Sequence, residues 1–346
     1  MPFLFALMYH SYMIKPFPTT GIGSLPHIDP QEACKLVLET FDIPFWPQLP
    51  HASFLEWMIP QYSEGMPFIN IDMNNETVFV SRNESDELER FYETCRDGAR
   101  IAISDDYARG LHVFLKMIRG RRFETLKGQI TGPMTFTLGL KDREGRLVYF
   151  DEELREISLL LLEAKARWQI DQLRPYAEDV FIFIDEPILS ALGSSTYLSV
   201  SREETLRLLK ETAAAIRDAG GIPGLHCCAN ADWVLAIESG AKVISFDAYH
   251  YFENIAIYHN ELRGFLEDGG YLAWGIVPTT ADIGEETPES VIHKFRIRFN
   301  KLKEHIPSDI LESQTILTPS CGTGSRTVQE TLKIFQLLIR LKEAYS

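Results

Sequence analysis

Lysine and arginine nowhere gather into a block: 34 of them are scattered among 49 aspartates and glutamates, for a net charge of −15. Without a row of cations to neutralise phosphates, the chain is not built for a nucleic-acid partner. Cysteine is scarce as well. The five present (Cys34, Cys95, Cys227, Cys228, Cys321) are odd in number and widely spread, which excludes a disulfide framework and points to a reducing compartment, the cytoplasm. No apolar run reaches the roughly 18 residues of a membrane span. The first twelve residues, MPFLFALMYHSY, are apolar but lack the charged flank and small-residue cleavage site of a signal peptide. Residues 1–15 are therefore expected to be an extension, disordered or upstream of a true start at Met13, ahead of one domain over 16–346. Repeats, low-complexity runs and linkers are missing too, and at 45% hydrophobic residues the chain can bury one large core.

What is present is an alternation of short β-rich runs with long amphipathic stretches, the pattern of βα units and a parallel sheet. Eight runs qualify as strands: TTGIGS, PFWPQL, LKGQIT, VFIFID, IPGLHC, KVISFD, YLAWGI and TILTPS. Eight is the number that closes a (β/α)8 barrel. The stretch SREETLRLLKETAAAIRDAG reads as a helix with Ser201 as N-cap, Glu204 at the capping-box position and Gly220 as its stop. Between residues 50 and 120 the alternation fails. There EGMPFINIDMNNETVFVSR reads as a hairpin followed by a long helical stretch, which marks an insertion into the barrel. A doubly wound sheet is the competing architecture, but GIGSLP lacks the third glycine of a dinucleotide fingerprint and no helix opens directly behind it.

In a barrel, chemistry collects at the C-terminal ends of the strands. The residues standing there are Ser24, Thr131, Asp185 with Glu186, His226 with Cys228, Asp247, and Cys321. Any one cysteine or histidine on an apolar strand is ordinarily core; several at adjacent strand ends are not. His226, Cys228 and Cys321 supply the three N and S ligands of a catalytic zinc with one open position. In the H-x-C pattern the two side chains fall on one side of an extended strand, and Cys227 points away. Asp247 fits either as a displaceable fourth ligand or as the hydrogen-bond partner of His226. Asp185 and Glu186 suit an ammonium group, the plain alternative being a helix cap before Pro187. Ser24 after Gly23 offers a hydroxyl and an N–H to a carboxylate, or is simply a turn residue. Phe45, Trp46 and Trp274 are expected in the core.

The segments IGSLPH, LKGQITGPMT, FIDEP, HCC, VISFD and PSCGTGSRT, in this order, resemble the C-terminal catalytic barrel of cobalamin-independent methionine synthase, in the superfamily that includes uroporphyrinogen decarboxylase and the methylcobamide:thiol methyltransferases. The resemblance covers nearly all of the chain after residue 16. It implies a zinc that binds homocysteine through sulfur, with His226, Cys228 and Cys321 as ligands and Asp247 where the family has a glutamate ligand. Ser24 would meet the carboxylate of the amino acid, with Thr131 beside it, and Asp185, with Glu186, its ammonium group. Two positions depart from the family. Its tryptophan after the TGP motif falls on Gly139, and its strand-seven histidine falls on Ile276. The duplicated N-terminal half that helps hold methylfolate has no counterpart here. The expected donor is accordingly a methylcorrinoid, free or carried by a protein, with homocysteine as the small thiol acceptor. Three other readings remain: a coenzyme M-like thiol as acceptor, a metal-free decarboxylase of the porphyrinogen type, and a non-catalytic sensor of thiol or metal.

Overall fold

A computed structural model describes residues 16–345 apart from 84, 85 and 97. The N-terminal stretch read as an extension lies outside the described residues. Nine strands are numbered in chain order: β1 (Ile69–Asp72), β2 (Thr77–Val80), β3 (Phe123–Thr131), β4 (Lys141–Asp142), β5 (Ala177–Asp185), β6 (Ile222–Cys227), β7 (Val243–Phe246), β8 (Tyr271–Val277) and β9 (Thr315–Pro319). Six of them form one parallel sheet in the order β3-β5-β6-β7-β8-β9.

The first two expected strands are reduced to single bridges, and those bridges close the ring. Thr19 pairs with Leu317 of β9, Ser24 with Gln48, and Phe45 with Lys127 of β3, all parallel. Thr20 N donates to Leu317 O at 3.1 Å, Gln48 N to Gly23 O at 3.1 Å, and Lys127 N to Pro44 O at 2.9 Å. Continuous ladders cannot form because Pro44, Pro47 and Pro50 have no N–H to donate, and Gly21 and Gly23 have no side chain to pack. The result is a (β/α)8 barrel with six regular strands and two bridge-bonded segments.

Alternation by two places Phe181, Phe183 and Asp185 on the inner face of β5. The interior is layered accordingly. Phe181, Val243, Tyr271 and Ile316 fill its lower part, Phe183 lies above them, and the polar side chains of Asp185 and His226 come last, at the mouth. Helices cover the outside, starting where their caps allow. Asp151 accepts from Leu154 N ahead of the helix Glu152–Leu173. Ser201 accepts from Glu204 N ahead of Arg202–Asp218, which ends just before Gly220 at φ 81°. The expected capping box is only half made, because the Glu204 carboxylate is drawn to Arg207 and Arg155. Among the described residues no helix is long and apolar enough to cross a membrane.

The insertion contains the expected hairpin, β1 antiparallel to β2 with Asp72 opposite Thr77. Its turn is fastened by Asp72, whose Oδ1 accepts from Asn74 N and Asn75 N. The long helix expected after it is instead two short ones, Glu87–Thr94 and Arg109–Met117. Gly98, at φ 72°, turns the chain between them. Ahead of the hairpin, the short helix Met58–Ser63 leans over the barrel mouth. It is tied to β3 by Thr131 Oγ1 donating to Met58 O at 2.8 Å and by Tyr62 OH donating to Gln129 O at 2.5 Å.

Candidate metal and ligand site

The side-chain ligand atoms of His226, Cys228 and Cys321 all lie within 4.8 Å of one another, the group of metal-type ligands found among the described residues. β6 delivers His226 at its end with Cys228 just beyond, and β9 leads directly into Cys321. His226 Nδ1 lies 2.9 Å from Ser245 Oγ, its register partner on β7. His226 Nε2 is buried and has no hydrogen-bond partner. A buried polar atom left in that state costs about 1–3 kcal/mol, which a bound ion or a water would relieve. With the Nδ1 proton given to Ser245, Nε2 presents a lone pair, the form a metal ligand takes. The Cys228 thiol is lowered to well below its ordinary value by the Cys321 thiol and the His226 imidazole, against the effect of burial. Cys321 is raised in turn, first through its hydrogen bond to Cys228. One imidazole nitrogen and two sulfurs within 4.8 Å of one another are the donor types of a zinc-type ion with a fourth position left open. Cys227 faces the other way into the core, its thiol pushed up to about 12 by burial.

A cavity of about 600 Å³ opens above this group, and Asp185, Ser24, Gln48 and Pro187 line it on the barrel side. Asp185 Oδ1 is buried without a partner. Burial raises its carboxyl, while the His226 imidazole and the ammonium of Lys127 draw it back down. Ser24 Oγ accepts from Gly324 N at 3.2 Å. One of its two lone pairs is thus used, and the hydroxyl can turn its O–H toward the cavity. Gly322 is required here because a Cβ on it would stand 2.2 Å from Ser24 Oγ. On the outer side the insertion supplies Phe54, Trp57, Met58 and Ile59. Trp57 is 44% exposed, and its ring is fixed by Nε1 donating to Pro50 O at 3.0 Å.

Three of the residues expected at this site are engaged elsewhere. Glu186 is fully buried, and its carboxylate accepts from Met134 N and Thr135 N, both at 2.8 Å, and from Thr135 Oγ1 at 2.7 Å. It caps the helix Pro133–Gly139, whose own N-cap is Gly132 and has no side chain for the purpose. A Cβ on Gly132 would stand 2.2 Å from Glu186 Oε1, which explains glycine in TGP. Neighbours in a strand point to opposite faces, so Glu186 cannot share an ammonium group with Asp185. The Thr131 hydroxyl is spent on Met58 O. Asp247 lies outside the three-residue group: Oδ1 accepts from Tyr249 N and His250 N, and Oδ2 meets His250 Nδ1 at 2.7 Å. The hydrogen bond to His226 that Asp247 was one candidate to make belongs to Ser245.

Sequence reasoning missed two residues. Ser245 was visible as the position two before Asp247, hence on the same strand face. Lys127 is fully buried and stands under Asp185, with Nζ donating to Ile22 O and to Gln129 Oε1 and lying 4.5 Å from the centre of the Phe183 ring. A lysine within an apolar strand gives no such signal, because buried lysine is rare.

The class defined by these features is a (β/α)8 barrel whose mouth brings one histidine and two cysteines together under a largely apolar cavity with a few polar groups on its barrel side. No family model matches the chain, and no curated protein matches it in sequence. Among solved structures, it is similar to a B12-independent methionine synthase from Shewanella sp. W3-18-1 in complex with selenomethionine. The TM-score is 0.59 at 16% identity, over 95% of this chain and 98% of that one. At that identity the likeness is one of fold. A Xaa-Pro dipeptidase with bound methionine in its active site aligns at a TM-score of 0.30 and 14% identity, over 72% of this chain and 69% of that one, and carries no argument.

Proposed function

We propose that the chain is a zinc-dependent methyltransferase that methylates the thiol of homocysteine to give methionine. The observation that carries this reading is the buried, unpartnered Nε2 of His226 facing two cysteine sulfurs, with a second unpartnered buried atom, Asp185 Oδ1, on the same cavity. The shared fold with a methionine synthase bound to selenomethionine supports it. His226, Cys228 and Cys321 would hold the ion, which when bound keeps a coordinated thiol deprotonated at neutral pH. Everything else falls to the side chains. Ser245 orients the imidazole, Asp185 takes the ammonium group of the amino acid, and the Ser24 hydroxyl donates to its carboxylate. Lys127 supplies a buried positive charge that favours the ionised form of Asp185. A thiol without an amino group would leave Asp185 Oδ1 unpaired, which favours homocysteine over coenzyme M-like acceptors.

For the donor, we infer a methylcorrinoid from what two positions lack. Gly139 lines the cavity without a ring to offer, and Ile276 is buried and carries no proton to give. A methylfolate must be protonated to leave as an amine. A methylcorrinoid instead releases the methyl to sulfur and keeps the bonding pair on cobalt. The test is zinc-loaded protein given homocysteine with methylcobalamin or with methyltetrahydrofolate, methionine being measured. Turnover with the corrinoid is the expected result. Turnover with folate alone would overturn the donor assignment, and none with either donor, together with no binding of homocysteine, would overturn the function.

A further inference from the structure

Asp247 stands at the end of β7, one strand over from His226, yet its carboxylate is committed to its own chain. Its backbone oxygen accepts from Tyr251 N at 3.0 Å, and Oδ1 accepts from Tyr249 N and His250 N, both at 2.9 Å. The side chain thus caps the turn that its own next residues make. Oδ2 is taken by His250 Nδ1 at 2.7 Å, so three of about four lone-pair sites of the carboxylate are filled. His250 is held from behind. Its Nε2 lies 3.0 Å from Asp282 Oδ2, in the turn that follows β8, and Thr280 Oγ1 donates to the same oxygen at 2.5 Å. The imidazole is therefore clamped between two carboxylates on neighbouring loops, and it sits where Asp247 would have to release it in order to turn.

We infer that His250 is a positioning residue that withholds Asp247 from the metal, leaving the fourth coordination position to the substrate thiol rather than to a protein carboxylate. This inference rests on the reading of His226, Cys228 and Cys321 as a zinc site. To ligate an ion through Oδ2, Asp247 would have to give up the His250 imidazole in a buried setting, where unpaired donors are costly, while Oδ1 stays with its two backbone N–H groups. Asp247 is 4% exposed, so water does not replace that partner cheaply. The consequence is a metal site with three protein ligands that a thiol can enter without displacing a fourth.

The experiment uses the full chain loaded with zinc, and with Co2+ as a spectroscopic substitute, in wild type, Asp247→Asn, His250→Ala and the double variant. Zinc affinity is read by competition with a chromophoric chelator, and ligand type from the Co2+ absorption bands with and without homocysteine. Asp247→Asn should leave both readouts as in wild type. His250→Ala, at a side chain that is 29% exposed, should free Oδ2 of Asp247 to ligate, tighten zinc binding, change the Co2+ bands and weaken homocysteine. The double variant should return the thiol affinity to the wild-type value, which a merely structural effect of His250 would not do. A loss of zinc affinity of about 10–100-fold in Asp247→Asn, the scale on which metal sites respond to altered ligands or their supports, would overturn the inference. So would a His250→Ala protein identical to wild type in every readout. Wild-type protein that takes up neither metal stoichiometrically would instead refute the metal reading itself.

Discussion

Replacing Glu186 with glutamine tests whether this carboxylate serves the fold or the substrate. The side chain is fully buried, and burial raises its carboxyl from an ordinary 4.5 to about 7, with hydrogen bonds from Thr135 and Met134 pulling the other way. Because the folded value lies above the unfolded one, the folded state holds the proton more tightly. Its contribution to stability is complete below about 4.5 and is lost as pH rises through about 7. Applied between about pH 5 and about pH 8, that shift amounts to about 2–3 kcal/mol of stability that the wild type loses and the glutamine variant does not. Glutamine has costs of its own, since its amide can satisfy Met134 N and turn the Thr135 hydroxyl around but cannot accept from Thr135 N. One unsatisfied buried N–H is worth about 1–3 kcal/mol at every pH. The variant should therefore be less stable in acid and approach or pass the wild type in mild base. Urea denaturation followed by tryptophan fluorescence across that range gives the two profiles, and the informative quantity is the difference between them. Parallel profiles would refute the assignment of the buried proton to Glu186. A large loss of homocysteine affinity in a folded Glu186→Gln protein would refute its role as a helix cap alone.

Cys228→Ala and Cys321→Ala should each lose most of the bound zinc while keeping the native circular dichroism, and Cys227→Ala should keep the metal. Elemental analysis of purified protein decides it. Asp185→Asn exchanges a charge-assisted hydrogen bond for a neutral one and should weaken homocysteine by about 1.5–3 kcal/mol; calorimetry should find 4-mercaptobutanoate, which has no amino group, indifferent to the change. Gly322→Ala places a Cβ at 2.2 Å from Ser24 Oγ, so Ser24 must move. KM for homocysteine should rise while zinc content stays the same, and an unchanged KM would remove Ser24 from the carboxylate site.

The parallel strands and their order could be read from the sequence because strands buried on both faces write themselves as continuous apolar runs. VFIFID and YLAWGI are plain cases. TTGIGS and PFWPQL were legible as segments of the ring but not as bridge-bonded ones, although the prolines that prevent their ladders were in view. The metal-type group was legible for a related reason. H-x-C on a strand end fixes two side chains on one side, and a distant C-G at another strand end supplies the third. The same alternation had more to say than was taken from it. It separates Cys227 from its neighbours, and by equal logic it separates Glu186 from Asp185 and puts Ser245 in line with Asp247.

What no local pattern carries is the choice a polar side chain makes among partners distant in sequence. Asp247 could turn to a metal, to His226 or to its own following turn, and the outcome depends on His250 being clamped by Asp282 on the next loop, 32 positions away. The outer wall of the cavity poses the same difficulty on a larger scale. Phe54, Trp57 and Ile59 are held at the mouth in part by Thr131 and Gln129, some seventy positions later, which tie the short helix Met58–Ser63 to β3. A sequence window sees an irregular insertion there. Two of the hydrogen bonds that turn it into part of the cavity wall join it to a strand whose own pattern announces nothing except burial.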